Sequence, residues 1–274
     1  MKTLMVPTDF SPASTNATNY AADMALAMGA DLYLLHVYQV PIAVTDVPLV
    51  LVSVDELKQE AQHKLEKLRN DLLHITSHKL NIRTEARLGD IVDELQNTCE
   101  SIEPFAVIMG TTGHSAIERT LFGSTALSAV RNLTWPVICV PKGKEYGTGI
   151  HKIGLACDLQ QVEETTPFSA ITDFVRAFDA ELHVLNVEPP VHPQTELAEQ
   201  TAILGTAINE LHPQFHFIEH KDIEDGINKF TEENNIDLLI AIPKKHKLLE
   251  GLFKPSSTKQ LVLESHVPVM CIHE

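Results

Sequence analysis

The chain has 274 residues, 44% of them hydrophobic, so it is long enough for one large or two ordinary domains with buried cores. Its formal net charge of −16 disfavours nucleic acid and anionic membrane surfaces as partners, because both carry negative charge. Since no apolar run approaches the length of a membrane span and the N-terminus lacks a signal-peptide pattern, we predict a cytoplasmic protein.

Short apolar runs alternate with amphipathic helices throughout residues 1–141. A strand at 3–8 is followed by a helix that Ser11-Pro12 should cap and Gly29 should end. Ser53 and Glu56 form a capping-box pattern at the start of a longer helix. Further strands are predicted at 31–37, 82–86, 105–110 and 136–141, and further helices at 90–100 and 125–132. Buried strands joined through helices indicate a parallel sheet.

The second half repeats this plan. Residues 142–150 are polar and contain three glycines, which predicts a linker between a domain at 1–141 and a domain at 151–274. Asp158 corresponds to Asp9, and Thr166-Pro167 should cap a helix as Ser11-Pro12 does. The strands at 181–187 and 267–272 match those at 31–37 and 135–140. The pattern is a tandem duplication.

A glycine-rich stretch links the fourth strand of the first half to its following helix. Its spacing is Gly110-x2-Gly113-x9-Gly123-Ser124-Thr125. Glycines permit positive φ and close approach of a ligand, and the free N–H groups of a helix start attract an anion. The pattern therefore indicates either a phosphate site or a glycine-containing surface loop that Ser124 caps; it is neither a P-loop nor a G-x-G-x-x-G fingerprint.

The corresponding stretch of the second half lacks these glycines. With the halves aligned at an offset of 133, the three glycine positions are occupied by Pro243, His246 and Ser256. Proline removes an N–H group and histidine adds a bulky side chain, so we expect this loop to be a degenerate site.

Together these residues resemble the universal stress protein family in its tandem two-domain form. The motifs that carry the resemblance are the opening 5–11, the strand end 34–37, Gly89-Asp90, the glycine spacing and the strand 136–141. The resemblance implies an α/β fold with two five-stranded parallel sheets in the order 3-2-1-4-5 and helices on both faces. It also implies that the fifth strands pair antiparallel, here within one chain as a pseudo-dimer.

The resemblance also implies a nucleotide site in the N-terminal half. In ATP-binding members of the family, the residue matching Asp9 lies against the nucleoside and the residue matching Val37 contacts adenine, while the glycine loop and its following serine hold ribose and phosphates. Thr112 stands where the family often has histidine, which leaves the backbone pattern intact. The predicted cofactor-binding residues are Pro7, Thr8, Asp9, Val37, Met109, Gly110, Gly113, Gly123, Ser124 and Thr125.

We therefore predict an ATP-binding protein, with AMP as the alternative ligand and Mg²⁺ as a companion ion, that acts in stress response or signalling. It would act through nucleotide-dependent conformation or association, with one site per chain. No catalytic residue is predicted, because Asp9 has no acid–base partner in the sequence and also suits a capping role. The alternatives are a slow ATP hydrolase of the same superfamily and an interaction module that binds no nucleotide.

Three other features leave alternatives open. The histidines 212, 216 and 220 suggest zinc or a chance cluster among fourteen histidines, and no metal site is predicted. Lysines 244, 245, 247 and 254 suit an anion, a polar partner or a solvated loop. The apolar loop 40–52 suits packing between the two halves, or contact with a further subunit, as in a homodimer, or with another protein partner.

Overall fold

The computed structural model describes residues 2–40, 53–111, 124–188, 194–243 and 257–273. In the first half the strands are β1 (Thr3–Pro7), β2 (Asp31–Tyr38), β3 (Ile82–Leu88), β4 (Ala106–Gly110) and β5 (Val137–Val140). In the second half they are β6 (Lys152–Ala156), β7 (Glu181–Glu188), β8 (Gln214–Glu219), β9 (Leu238–Ala241) and β10 (Val269–Cys271).

Helices connect these strands in both halves. The first half contains α1 (Pro12–Met28), α2 (Val54–Ile75), α3 (Ile91–Ile102) and α4 (Ser124–Asn132). The second contains α5 (Val162–Thr165), α6 (Phe168–Phe178), α7 (Gln194–Ala207), α8 (Ile223–Glu233), α9 (Ser257–Glu264) and a 3-10 turn (Asn209–Leu211). Across the described part of the chain, no helix combines the length and apolar character that a membrane crossing requires.

Two helices of the first half begin at the caps that the sequence predicts. The Ser11 hydroxyl accepts a hydrogen bond from the backbone N–H of Ser14, and Pro12 occupies the first helical turn. Gly29 ends α1 with a left-handed φ of 64°. Ser53 and Glu56 make both hydrogen bonds of a capping box at the start of α2. These predictions are confirmed.

The second half does not repeat the cap of α1. The short helix α5 comes first, and Thr166 closes it by donating its backbone N–H to the carbonyl of Val162. Helix α6 then begins after Pro167 without a side-chain capping bond. The prediction that Thr166-Pro167 caps this helix in the manner of Ser11-Pro12 is therefore wrong.

The strands of the described ranges form one sheet, in the order β3-β2-β1-β4-β5-β10-β9-β6-β7-β8. Within each half the strands are parallel in the order 3-2-1-4-5, which confirms the predicted fold class. The halves join where β5 and β10 pair antiparallel, with Ile138 opposite Met270. One helical layer comprises α1, α2, α5, α6 and α7, and the other comprises α3, α4, α8 and α9.

The strand register corrects the alignment of the two halves by one residue. Met109 pairs with Cys139 and Ala241 pairs with Cys271, so β4 and β9 correspond at an offset of 132 rather than 133. At this offset the second half has Ile242, Lys245 and Pro255 at the three glycine positions. The predicted equivalence of Gly110 with Pro243 is therefore wrong, while those of Gly113 and Gly123 with His246 and Ser256 lie outside the described residues; no glycine occupies the positions at either offset.

Side chains from both halves meet beside the central strand pair. The ring of Phe105, which precedes β4, stacks on Phe174 of α6 with centroids 5.2 Å apart, and the ammonium of Lys2 lies 4.1 Å from the Phe105 ring centroid. Near the opposite end of the chain, His273 hydrogen-bonds through Nε2 to the carbonyl of Val130 in α4. The second half therefore contacts a helix of the predicted nucleotide site.

The segment between the halves, residues 142–150, packs against α1. The side-chain amide of Asn16 donates to the carbonyls of Pro141 and Lys144, at 3.1 and 3.3 Å. The ring of Tyr146 is buried and meets that of Tyr20 edge to face, with centroids 5.3 Å apart. This segment is thus anchored, although its composition predicts a linker.

We expect Tyr146→Ala to destabilise the protein by about 3 kcal/mol, because it removes a buried aromatic ring and leaves a cavity beside Tyr20. Chemical denaturation would measure the change. The exposed neighbour Lys142 provides the control, since Lys142→Ala should leave the midpoint unchanged. Equal stability of Tyr146→Ala and wild type would show that the segment does not contribute to the folded core.

Candidate functional site

The predicted site residues of the first half lie at the carboxyl ends of two neighbouring strands. Strand β1 pairs with β2 on one side and with β4 on the other. Pro7 ends β1, with Thr8 and Asp9 directly after it, while Met109 and Gly110 end β4. Because the chain connections from β1 and β4 run to opposite sides at this point, it is the topological switch point of the sheet.

The loop from β1 to α1 is held by its own hydroxyl and carboxyl groups. The Thr8 side chain is buried, and its Oγ1 accepts from the backbone N–H of Phe10 at 3.1 Å and lies 3.2 Å from Ser14 Oγ. Asp9 Oδ1 accepts from the N–H of Ser11 at 2.9 Å. Burial opposes ionisation of Asp9, but hydrogen bonds from Ser11 and Ser14 outweigh it and lower its pKa. The Asp9 carboxylate is therefore charged at neutral pH, and it is exposed to solvent.

Phe10 has a left-handed backbone, with φ of 63°. Bulky residues rarely adopt this conformation, which costs about 1–3 kcal/mol unless the surroundings impose it. The ring of Phe10 packs against the core beneath α1 and α2 and lies 4.6 Å from the ring of His36. In the sequence Phe10 stands only within the motif 5–11, and its left-handed backbone is not predicted, because bulky residues disfavour that conformation and only a tertiary contact explains it.

Val37 and His36 occupy opposite faces of β2 near its carboxyl end. Val37 is partly exposed and packs against the cluster that α3 and α4 cover. His36 faces the other layer, and its Nδ1 lies 2.7 Å from the carbonyl oxygen of Thr8. In the sequence His36 stands only within the motif 34–37; its contact with the loop after β1 joins neighbouring strands, so the sequence pattern does not predict it.

Gly110 is required by helix packing. Its φ is not left-handed, and a Cβ added there would lie only 2.3 Å from the carbonyl oxygen of Ala13 in α1. The glycine thus lets the start of α1 approach the end of β4. The sequence predicts a sharp strand exit or a close ligand approach at Gly110; the structure adds a packing reason, and the ligand contact stays a prediction.

The rest of the glycine loop belongs to residues 112–123, outside the described part of the chain, and so do Gly113 and Gly123. Ser124 begins α4, and Thr125 in its first turn is partly exposed. Thr111, which the sequence analysis did not single out, is buried and donates from both N–H and Oγ1 to the carbonyl of Val140. These two hydrogen bonds hold the start of the glycine-rich loop against the end of β5.

The second half has the same strand-end loop. Asp158 Oδ1 accepts from the N–H of Gln160 at 3.1 Å, as Asp9 does from Ser11. Leu159 has φ of 51°, and its N–H donates to the sulfur of Cys157. The amide of Asn186 donates to the carbonyl of Cys157 at 3.0 Å. Both halves therefore place an aspartate and a residue with a left-handed backbone directly after the first strand, although the helices that follow begin differently.

The three clustered histidines have separate partners. His216 Nε2 lies 3.0 Å from His183 Nδ1, and burial lowers the pKa of both rings, so both are neutral at physiological pH. His220 hydrogen-bonds to the backbone of Asp222, while His212 ends the 3-10 turn. The described ranges contain no group of three metal-ligating side chains. The lysine cluster and residues 41–52 of the apolar loop lie outside the described residues.

Comparisons with known proteins agree on one family. A family model described as the universal stress protein family matches residues 1–141 and again 149–273. A universal stress protein of Methanocaldococcus jannaschii is 31% identical over 147 residues, which cover 53% of this chain and 84% of that protein. Universal stress protein G of Escherichia coli O157:H7 is 28% identical over 142 residues, which cover 51% of this chain and 98% of that protein.

The fold itself has a full-length counterpart among solved structures. A universal stress protein from Archaeoglobus fulgidus superimposes with a TM-score of 0.75 and 18% sequence identity, covering 99% of this chain and 98% of that one. At this identity the likeness concerns the fold, which extends over both halves.

We expect Gly110→Ala to destabilise the protein by about 1–3 kcal/mol, because the added methyl group would force α1 away from β4. Thermal or urea denaturation would detect the loss. Gly205→Ala is the matched control: Gly205 lies within α7, an added Cβ there meets nothing closer than 3.6 Å, and alanine should stabilise the helix by about 0.5–1 kcal/mol. If both variants were equally stable, the packing role of Gly110 would be wrong.

Proposed function

Since the chain belongs to the universal stress protein family, we propose that its first half binds ATP at the carboxyl ends of β1 and β4. Binding would change conformation or association, and the protein would act in stress response or signalling by this route. The observation that carries the proposal is the exposed, ionised Asp9 on a strained loop at the switch point, beside the start of the glycine-rich stretch.

The groups at this edge suit a nucleoside. The Asp9 carboxylate accepts hydrogen bonds, which is what ribose hydroxyl groups require. Val37 offers an apolar, partly exposed surface on the side of α3 and α4, suited to one face of an adenine ring. Both assignments agree with what the family resemblance implies for these two positions.

The phosphates need local donors, because the chain as a whole is strongly acidic. The free N–H groups at the start of α4, with the hydroxyl of Thr125 in its first turn, would supply them. Mg²⁺ would accompany the nucleotide and neutralise part of the phosphate charge. The backbone N–H groups of the glycine-rich stretch predicted from the sequence would complete the phosphate site.

We propose one site per chain. The second half keeps the strand-end loop, with Asp158 in place of Asp9. Its residues at the three glycine positions are Ile242, Lys245 and Pro255. Each adds a side chain where close backbone approach is needed, and proline removes a donor. The second half would then serve as a structural or regulatory partner of the first.

A matched pair of substitutions tests the site. Asp9→Asn keeps an oxygen for the N–H of Ser11 but removes the charge, so we expect Mg-ATP affinity to fall roughly ten- to a hundredfold. Asp158→Asn makes the same change in the second half and should leave affinity unchanged. Equilibrium dialysis with labelled ATP measures both. Equal affinity of Asp9→Asn and wild type would remove Asp9 from the site.

A further inference from the structure

His36 connects β2 to the loop that carries Asp9. Its Nδ1 lies 2.7 Å from the carbonyl oxygen of Thr8, the residue before Asp9. A carbonyl oxygen only accepts hydrogen bonds, so Nδ1 must carry the proton and donate. This bond restrains the backbone immediately before the carboxylate of the proposed site.

The same ring also supports the strained residue after Asp9. The rings of His36 and Phe10 have centroids 4.6 Å apart and an interplanar angle of 49°. Phe10 is the residue with φ of 63°, a conformation that persists only where surrounding contacts impose it. His36 therefore contacts the loop on both sides of Asp9, by a hydrogen bond on one side and by packing on the other.

The second half makes the same connection with a different side chain. Asn186 of β7 donates its amide to the carbonyl of Cys157 at 3.0 Å, and Leu159, with φ of 51°, replaces Phe10. Asn186 and Leu159 are both almost fully buried. The imidazole of His36 and the amide of Asn186 each donate to the carbonyl of a residue that follows the first strand, so this hydrogen bond is the feature that the two halves share.

We propose that His36 is a positioning residue of the nucleotide site: it holds the loop at residues 8–11 so that Asp9 faces the ligand, and it does so without contacting the ligand. The proposal rests on the proposed function, since it assigns a support to the same site. It goes beyond the site residues predicted from the sequence, among which His36 does not appear.

Two substitutions separate the donor from the ring. His36→Leu removes the hydrogen bond to Thr8, and we expect Mg-ATP to bind roughly tenfold more weakly. His36→Asn supplies the donor that the second half uses at Asn186, so its affinity should stay within about threefold of wild type. Isothermal titration would measure both affinities.

Hydrogen exchange without nucleotide provides a second measurement. The amides of Phe10 and Ser11 are bonded to Thr8 Oγ1 and Asp9 Oδ1, so they report whether the loop is held. We expect faster exchange of these amides in His36→Leu and near wild-type exchange in His36→Asn. Asn186→Leu is the control, because it breaks the equivalent bond in the other half and should change neither these amides nor the affinity.

The outcomes distinguish this proposal from the proposed function. Wild-type affinity in His36→Leu, or unchanged exchange of the loop amides, would overturn the positioning role while leaving the site intact. Weak binding by His36→Asn with normal exchange would also overturn it, since His36 would then contact the ligand directly. If wild type bound no ATP, the proposed function would fail, and faster exchange in His36→Leu alone would still support His36 as the support of the loop.

Discussion

The antiparallel pairing of β5 with β10 is the interaction on which the whole molecule depends. Each half is an open parallel sheet, and its fifth strand would otherwise be an exposed edge with unpaired backbone groups. The pairing removes both edges and buries Ile138 and Met270 at the centre of a continuous sheet. Its direction has a further consequence: the carboxyl ends of the two sets of parallel strands face opposite edges of the sheet.

The Asp9 and Asp158 loops therefore lie at opposite edges of the sheet. Ligand binding at one edge would affect the other half only through elements that contact both halves. The described residues include two such contacts. Phe105, which precedes β4, stacks on Phe174 of α6, and Val130 of α4 is hydrogen-bonded to His273. Because α4 follows the glycine-rich stretch, a nucleotide that shifted this helix would also change the contact between Val130 and His273.

The sequence predicted the features that depend on local chemistry. The caps at Ser11 and Ser53 involve residues three positions apart, so they are visible in the sequence and are confirmed. The alternation of buried strands and helices, with the family resemblance, predicted the strand order and the joining of the halves. The predicted ligand contacts remain predictions, because the glycine stretch that would complete them lies outside the described residues.

The features that the sequence could not predict depend on contacts between distant segments. Gly110 is glycine because Ala13 lies against it, a contact that exists only once α1 packs on β4. The true offset of the halves follows from strand register, which apolar residues on both faces of a buried strand leave undetermined. The left-handed backbone of Phe10 likewise follows from its packing and its bond to Thr8, whereas its residue type argues against it.

We propose that one half of this duplicated scaffold binds nucleotide and that the other half has lost that capacity. Calorimetric titration of the nucleotide-free wild-type chain with Mg-ATP tests it most directly, because the stoichiometry counts the sites. We predict one site per chain, with about 2.7 kcal/mol of added stability when free ligand reaches 100 times Kd. Two sites per chain would show that nucleotide binding does not require the glycines that the second half lacks. No binding would favour the alternative of an interaction module that binds no nucleotide.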